Sequence, residues 1–150
     1  MTSLPMTEQV QRMVLAMPVA QTLQLRFVNV APGEVTLELP VTDAFSFRPG
    51  QLQATAVFAA ADFAAVAAAG TLLPPGWVNA TIDTSLKIVA PAAGALLRSR
   101  GRVLSAARLL TVCAADVFAV DEQGRETLCA TLLATARNVD TAARAPAAVQ

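Results

Sequence analysis

A chain of 150 residues with 11 basic and 11 acidic side chains, 55% hydrophobic and 5% aromatic, and with neither His nor Tyr, describes one compact soluble domain with a small chemical repertoire. The missing His excludes a Ser-His-Asp or Cys-His nucleophile system, an imidazole base and a His-ligated metal; the zero formal net charge makes nucleic acid a poor partner. Chemistry here has to come from carboxylates, hydroxyls, amides, arginines or backbone N–H groups.

A chain of this length buries roughly 70% of its unfolded surface, enough for one substantial core. The reading is a single domain over 1–139, with 1–22 a helical segment, followed by an Ala-rich tail, 140–150, expected to be disordered. Cys113 and Cys129 have no CxxC spacing, so no metal site and no thioredoxin-type chemistry is expected. Residues 1–15 include Glu8, Gln9, Gln11 and Arg12 and lack an apolar run, which argues against a secretory signal and makes the cytoplasm the expected compartment. Ten Arg stand against the single Lys87, and roughly a fifth of the chain is Ala, a bias that reads as GC-rich bacterial coding.

Thr7 precedes Val10, Met13, Val14 and Met17 at helical spacing, with Pro18 as the stop, which predicts a short amphipathic helix. Leu25 to Ala31 and Val35 to Val41 predict a hairpin joined by Pro32-Gly33, the second strand alternating apolar residues with Glu34, Thr36 and Glu38. A polar loop, 42–51, follows. Ala54 to Ala69 predicts a helix whose polar members are Thr55 and Asp62, closing at Gly70 with Pro74 and Pro75 beyond. A helix apolar all round is buried on every side or lies in a membrane. Asp62 at a membrane midplane costs roughly 3 kcal/mol, so burial is the expectation and no membrane is assigned. Long strands are predicted over Val78–Val89, Ala95–Ser105 and Leu109–Val120, then a hairpin turn at Asp121 to Gly124 and a last strand, Glu126–Asn138.

If Val120 pairs with Arg125, Cys113 lies opposite Leu132 and Cys129 falls on the other face, which excludes a disulfide unless a bulge shifts the register. A long central helix wrapped by a curved antiparallel sheet, an α+β fold, accounts for both the apolar helix and the long strands. Pairing protomers would remove the sheet's free edges, so a homodimer or a dimer of dimers is expected.

Asp62 is the most informative residue. Phe58, Ala59, Ala65 and Val66, one turn away on either side, cannot pair with it, so burial should raise its pKa. Such a carboxylate is either functional or structural, bonded to a backbone N–H or to an Arg across an interface. None of Gln51, Leu52, Gln53 or Ala54 is a preferred N-cap, so the N–H groups of about Gln53 to Val57 are expected to lack a side-chain acceptor. Free donors at a helix N-terminus suit an oxygen that gains negative charge in acyl transfer, unless Thr55 or water caps them.

The stretch Gly50-Gln51-Leu52-Gln53-Ala54-Thr55-Ala56-Val57-Phe58-Ala59-Ala60-Ala61-Asp62 resembles the signature of hotdog-fold acyl-CoA thioesterases of the PaaI type. In that signature His-Gly-Gly leads into the central helix and an acidic residue follows nine positions after the His, the spacing of Gln53 and Asp62 here. Thr81 to Ala92, ending in Pro91-Ala92 and followed by Gly94 and Gly101, is similar to the family's next strand and turn. The resemblance covers about Leu23 to Val139. It implies a hotdog fold and hydrolysis of an acyl-CoA thioester, CoA being part of the substrate and no separate cofactor being needed.

Position by position, the resemblance puts Asp62 at the acid that activates water or attacks the thioester, Gln53 at the His, and Ala54 and Thr55 at the two glycines. The Ala54 N–H then matches the oxyanion donor, while the family's upstream Asn has no counterpart, Ala16 and Met17 lying there. Arg98, Arg100 and Arg102 alternate on one strand face and Arg108 opens the next strand; in a CoA-binding reading they hold nucleotide phosphates, and otherwise they form a solvated face. Arg48, before the helix, is a further candidate. The alternative to an enzyme is a hotdog domain that binds acyl-CoA or another apolar ligand without turnover, or serves as an oligomeric scaffold.

Overall fold

A computed structural model describes residues 3–144 of the chain. Helices α1 (Met6–Leu15) and α2 (Pro18–Thr22) lead into the hairpin of β1 (Arg26–Ala31) and β2 (Glu34–Pro40). Two short strands, β3 (Ser46–Arg48) and β4 (Gln51–Leu52), precede the long helix α3 (Ala54–Gly70). Then come β5 (Trp77–Ile88), β6 (Leu96–Ala106), β7 (Leu110–Val120) and β8 (Glu126–Asp140). Six strands form one antiparallel sheet in the order β1-β2-β6-β7-β8-β5. Helix α3 lies against β2, β5, β6, β7 and β8, so the sheet wraps it in the α+β hotdog arrangement expected from the sequence. Among the described residues no helix is long and apolar enough to cross a membrane.

The alanines have a packing role. Of the buried residues of α3, all but Val57 and Gly70 are Ala. Such small side chains let the helix come close to the sheet, and at Gly101 of β6 the contact is backbone to backbone: a Cβ there would stand 2.1 Å from the Ala64 carbonyl oxygen. Leu37 and Leu39 of β2, Leu97 of β6, Val117 of β7 and Leu132 of β8 are fully buried and fill the space around that contact. An alanine run that reads in the sequence as coding bias is therefore, on this helix, a steric requirement.

Several local expectations are corrected. The first helix stops at Leu15, short of Pro18, but Pro18 also opens a second helix, α2, where its missing N–H is one of the unpaired donors in any case. The loop 42–51 contains a small hairpin, Ser46 pairing with Leu52 and Arg48 with Gln51. Helix α3 is not enclosed on every side by its own chain, since Phe58, Ala59, Asp62, Phe63 and Val66 form a half-buried stripe. In the β7–β8 hairpin Val120 pairs with Glu126, and a bulge at Val117/Phe118 shifts the register further, so Cys113 lies opposite Ala134. The bulge also carries Cys129 into the core, where both cysteines are buried as free thiols rather than divided between two faces. The last strand reaches Asp140 and a short 3-10 helix covers Ala142–Arg144; the rest of the expected tail lies outside the described residues.

Candidate active site

Asp62 is at the midpoint of α3, on the stripe beside β5, and the Thr81 hydroxyl of that strand donates to its Oδ1 at 2.9 Å. Burial raises its carboxyl above the ordinary 3.8, and the Thr81 bond opposes that rise. Among the described residues no Arg or Lys pairs with it. The carboxylate lines a cavity of about 400 Å³ whose wall is otherwise mainly apolar, built by Val10 and Met13 of α1, Met17 between α1 and α2, Phe63 and Val66 of α3, and Trp77 of β5. Neither Thr81 nor the α1 wall is singled out by the sequence, because both meet Asp62 only once the following strand and the leading helix are laid against α3. Burial, and after it the Asp62 charge, push the nearby Cys113 thiol up to about 11, so it stays protonated at neutral pH and is no nucleophile.

Thr81→Val keeps the side-chain shape and removes the donor. The carboxyl should then titrate at a still higher pH, and the acidic limb of a kcat/KM profile should move the same way. A limb that stays in place would mean that Asp62 is not the group it reports.

The donors at the start of α3 can be accounted for one by one. The Gln53 N–H donates to the Phe45 carbonyl at 2.9 Å, and those of Ala56 and Val57 donate to the Gln53 carbonyl at 3.0 and 3.4 Å. Gln53 Oε1 accepts from the Thr55 N–H at 2.6 Å and also from the Thr55 hydroxyl. Gln53 is thus the N-cap, which corrects the expectation of an uncapped first turn: its longer amide folds back to do what Asn or Asp does at most helix starts. Of this group, only the Ala54 N–H lacks an acceptor among the described residues, and Ala54 is exposed. Gln53 and Thr55 line a separate concavity with Phe45 and Ser46. From Ala54 to Asp62 is eight helical residues, ~12 Å at ~1.5 Å each, so one chain does not bring the two together.

Arg98, Arg100 and Arg102 alternate on β6 as expected, but on the face turned away from α3, because Leu97, Ser99 and Gly101 between them are the buried ones. Each is held by a carboxylate. Arg98 reaches Glu38 at 3.0 Å and Glu126 at 2.5 Å, Arg100 takes both oxygens of Glu126, and Arg102 meets Asp116 at 3.0 Å. Arg100 and Arg98 together draw the Glu126 carboxyl down to about 2. The structure does not bring these three arginines to Asp62. Arg48 donates to Gln51 Oε1 at 2.9 and 2.7 Å. Arg108 differs: it makes no ion pair among the described residues, and its guanidinium lies 5.7 Å from the centre of the Trp77 ring, next to the Asp62 cavity. No group of His, Cys, Asp and Glu among the described residues could hold a metal ion.

The sequence matches no family model, and no curated protein matches it significantly. Solved structures do match it. A thioesterase family protein from Silicibacter pomeroyi is 29% identical, with 90% of this chain and 98% of that chain covered and a TM-score of 0.86. A phenylacetic acid degradation-related protein from Ralstonia eutropha JMP134 is 27% identical, with 85% and 98% covered and a TM-score of 0.71. The PaaI protein from the phenylacetic acid degradation operon of E. coli shares the fold at 15% identity, with 89% and 96% covered and a TM-score of 0.74. The wrapped helix and these likenesses together identify the chain as a hotdog protein of the thioesterase superfamily.

Proposed function

We propose that this protein hydrolyses an acyl-CoA thioester, with Asp62 as general base or nucleophile. The observation that carries the reading is a half-buried carboxylate, held by Thr81 in the wall of an apolar cavity. As base, Asp62 takes the proton of a water that attacks the thioester carbon; as nucleophile, it attacks that carbon directly, and water then cleaves the resulting acyl–Asp62 anhydride to release the acid and restore the carboxylate. The carbonyl oxygen gains negative charge beside a helix N–H, and the sulfur leaves as thiolate. A thiol ionises at about 8.5, so this leaving group needs no strong general acid, and a chain without His can serve.

The site takes its two halves from two copies of the chain. A separation of ~12 Å along α3 is too great for one carbonyl group to meet both Asp62 and its own Ala54 N–H, so the donor facing Asp62 is that of the partner's Ala54. Strand β5 is an open sheet edge beside the half-buried stripe of α3, with Ile82 and Ile88 exposed, and pairing it with its copy covers all of these.

Ala54→Pro tests both points. Proline removes the one free N–H at a first helical position, where it is well tolerated, and the extended backbone of Gln53 (φ −75, ψ 152) suits the residue before it. kcat should fall about 10²- to 10³-fold. Mixing this variant with Asp62→Asn subunits should restore about a quarter of the sites, because half of the dimers are mixed and each holds one intact pair. No recovery on mixing would overturn the shared site.

With the Thr55 N–H taken by Gln53, the oxyanion position has one donor, which favours as second reading a hotdog domain that binds acyl-CoA without turnover. An acyl-CoA panel separates the two. CoA release at a catalytic rate supports the hydrolase, and a raised Tm without release supports the binding domain.

A further inference from the structure

We infer that the cavity beside Asp62 is an acyl-chain pocket of fixed depth, ended by Trp77 and Leu73, which takes a linear medium-chain acyl group of about eight to ten carbons. The inference rests on the thioester reading of Asp62 and adds the substrate class to it.

Asp62 and Thr81 stand at one end of the cavity wall, and Gly70, Leu73 and Trp77 at the other. Two rulers give the depth. The eight helical residues from Asp62 to Gly70 advance about 12 Å, and the four strand residues from Thr81 to Trp77 about 13 Å. An extended alkyl chain advances ~1.25 Å per carbon, from bonds of ~1.5 Å at tetrahedral angles, so this depth holds about ten carbons. The volume, about 400 Å³, is at the small end of the roughly 300–1,000 Å³ of small-molecule sites, which suits an acyl chain but leaves the nucleotide outside. Along the wall one N–H of the Asn79 amide is tied to the Val66 carbonyl at 3.1 Å, and between Thr81 and Trp77 the strand's other lining residues, Val78 and Ala80, are apolar.

The end wall is a partition. Leu73 and Trp77 line this cavity and also a second one of about 400 Å³ on their far side, which Arg108 borders. The Arg108 guanidinium over the indole holds the ring from that far side. Removing the indole joins the two spaces and lengthens the pocket.

The test is kcat/KM for hexanoyl-, octanoyl-, decanoyl-, dodecanoyl- and tetradecanoyl-CoA with the wild type, Trp77→Ala, the milder Trp77→Leu, and Val66→Phe, one turn from Asp62. Each further buried methylene favours binding about fourfold. The wild-type profile should rise to octanoyl or decanoyl and then fall. The Trp77 variants should move the optimum to longer chains, raising the dodecanoyl-to-octanoyl ratio at least about tenfold, and Val66→Phe should move it to shorter ones. One optimum for all the variants overturns the pocket and leaves the hydrolase reading standing. Displacement of a dansylated fatty acid by free fatty acids of the same lengths, measured on Asp62→Asn, reads the pocket without hydrolysis. If no acyl-CoA is cleaved while the same cut-off appears there and Trp77→Leu relaxes it, the pocket stands and the hydrolase reading falls.

Discussion

Asp62→Asn should lower kcat/KM for acyl-CoA hydrolysis by about 10²- to 10⁴-fold while leaving the fold at least as stable at neutral pH. The two halves of this expectation come from the same environment. Burial is the larger influence on the carboxyl and raises its pKa, with the Thr81 bond opposing. The folded protein therefore binds this proton more tightly than the unfolded chain does. Stability attributable to Asp62 is full below the unfolded value and is lost as pH rises through the raised folded one, so at neutral pH the charge is a net cost to folding. Asparagine removes the charge and still offers an oxygen to the Thr81 hydroxyl. Thermal unfolding across pH should show a decline in the wild type that is flattened in the variant. Wild-type rates in Asp62→Asn would end the catalytic assignment, and a large fall in Tm would make the residue a structural carboxylate.

What the sequence discloses follows from how far its physical causes reach along the chain. The long helix, its end at Gly70 and the long strands rest on periodicity and turn residues within a dozen positions, and the structure has them within a residue or two. Asp62 is legible for the same reason, as the one carboxylate in an apolar helix. Its partner Thr81 is nineteen residues on, in a strand that must first lie against the helix. The alternation of Arg98, Arg100 and Arg102 is equally local. Which way they face, and their capture by Glu38, Asp116 and Glu126, depend on the registers of β6 with β2 and β7 and on the position of β8, to which no short-range pattern gives access. Gln53 is concealed differently, by a capping preference drawn from shorter side chains. The bulge at Val117/Phe118, which carries Cys129 into the core, leaves no mark in residue type at all.

Gly101→Ala should be the most damaging single methyl group in the protein, costing about 3 kcal/mol or more and lowering Tm by roughly 6–12 °C, if the chain folds at all. The new Cβ would stand 2.1 Å from the Ala64 oxygen and 2.7 Å from the Ala65 nitrogen, both backbone atoms of α3, so no side chain can rotate aside to admit it. Relief requires moving the helix off β6, and the helix is held to the sheet by buried alanines that lose contact when it lifts. Gly124→Ala is the control. Its φ of +81 strains an alanine, but nothing lies within 4 Å of the added methyl, so its cost should stay near 1–2 kcal/mol. Gly101 has no positive φ, so its cost is that of the helix–sheet contact, whereas the cost at Gly124 is backbone strain without a contact. Ala64 is two residues beyond Asp62, and a lift of about 1 Å would carry the carboxylate away from Thr81 and misplace it against the thioester, on the order of 10²-fold in rate. Folded Gly101→Ala should therefore lose activity as well as stability, whereas Gly124→Ala, in the turn between β7 and β8, should lose stability only. Equal Tm values for the two variants would mean that α3 is not seated backbone to backbone on β6.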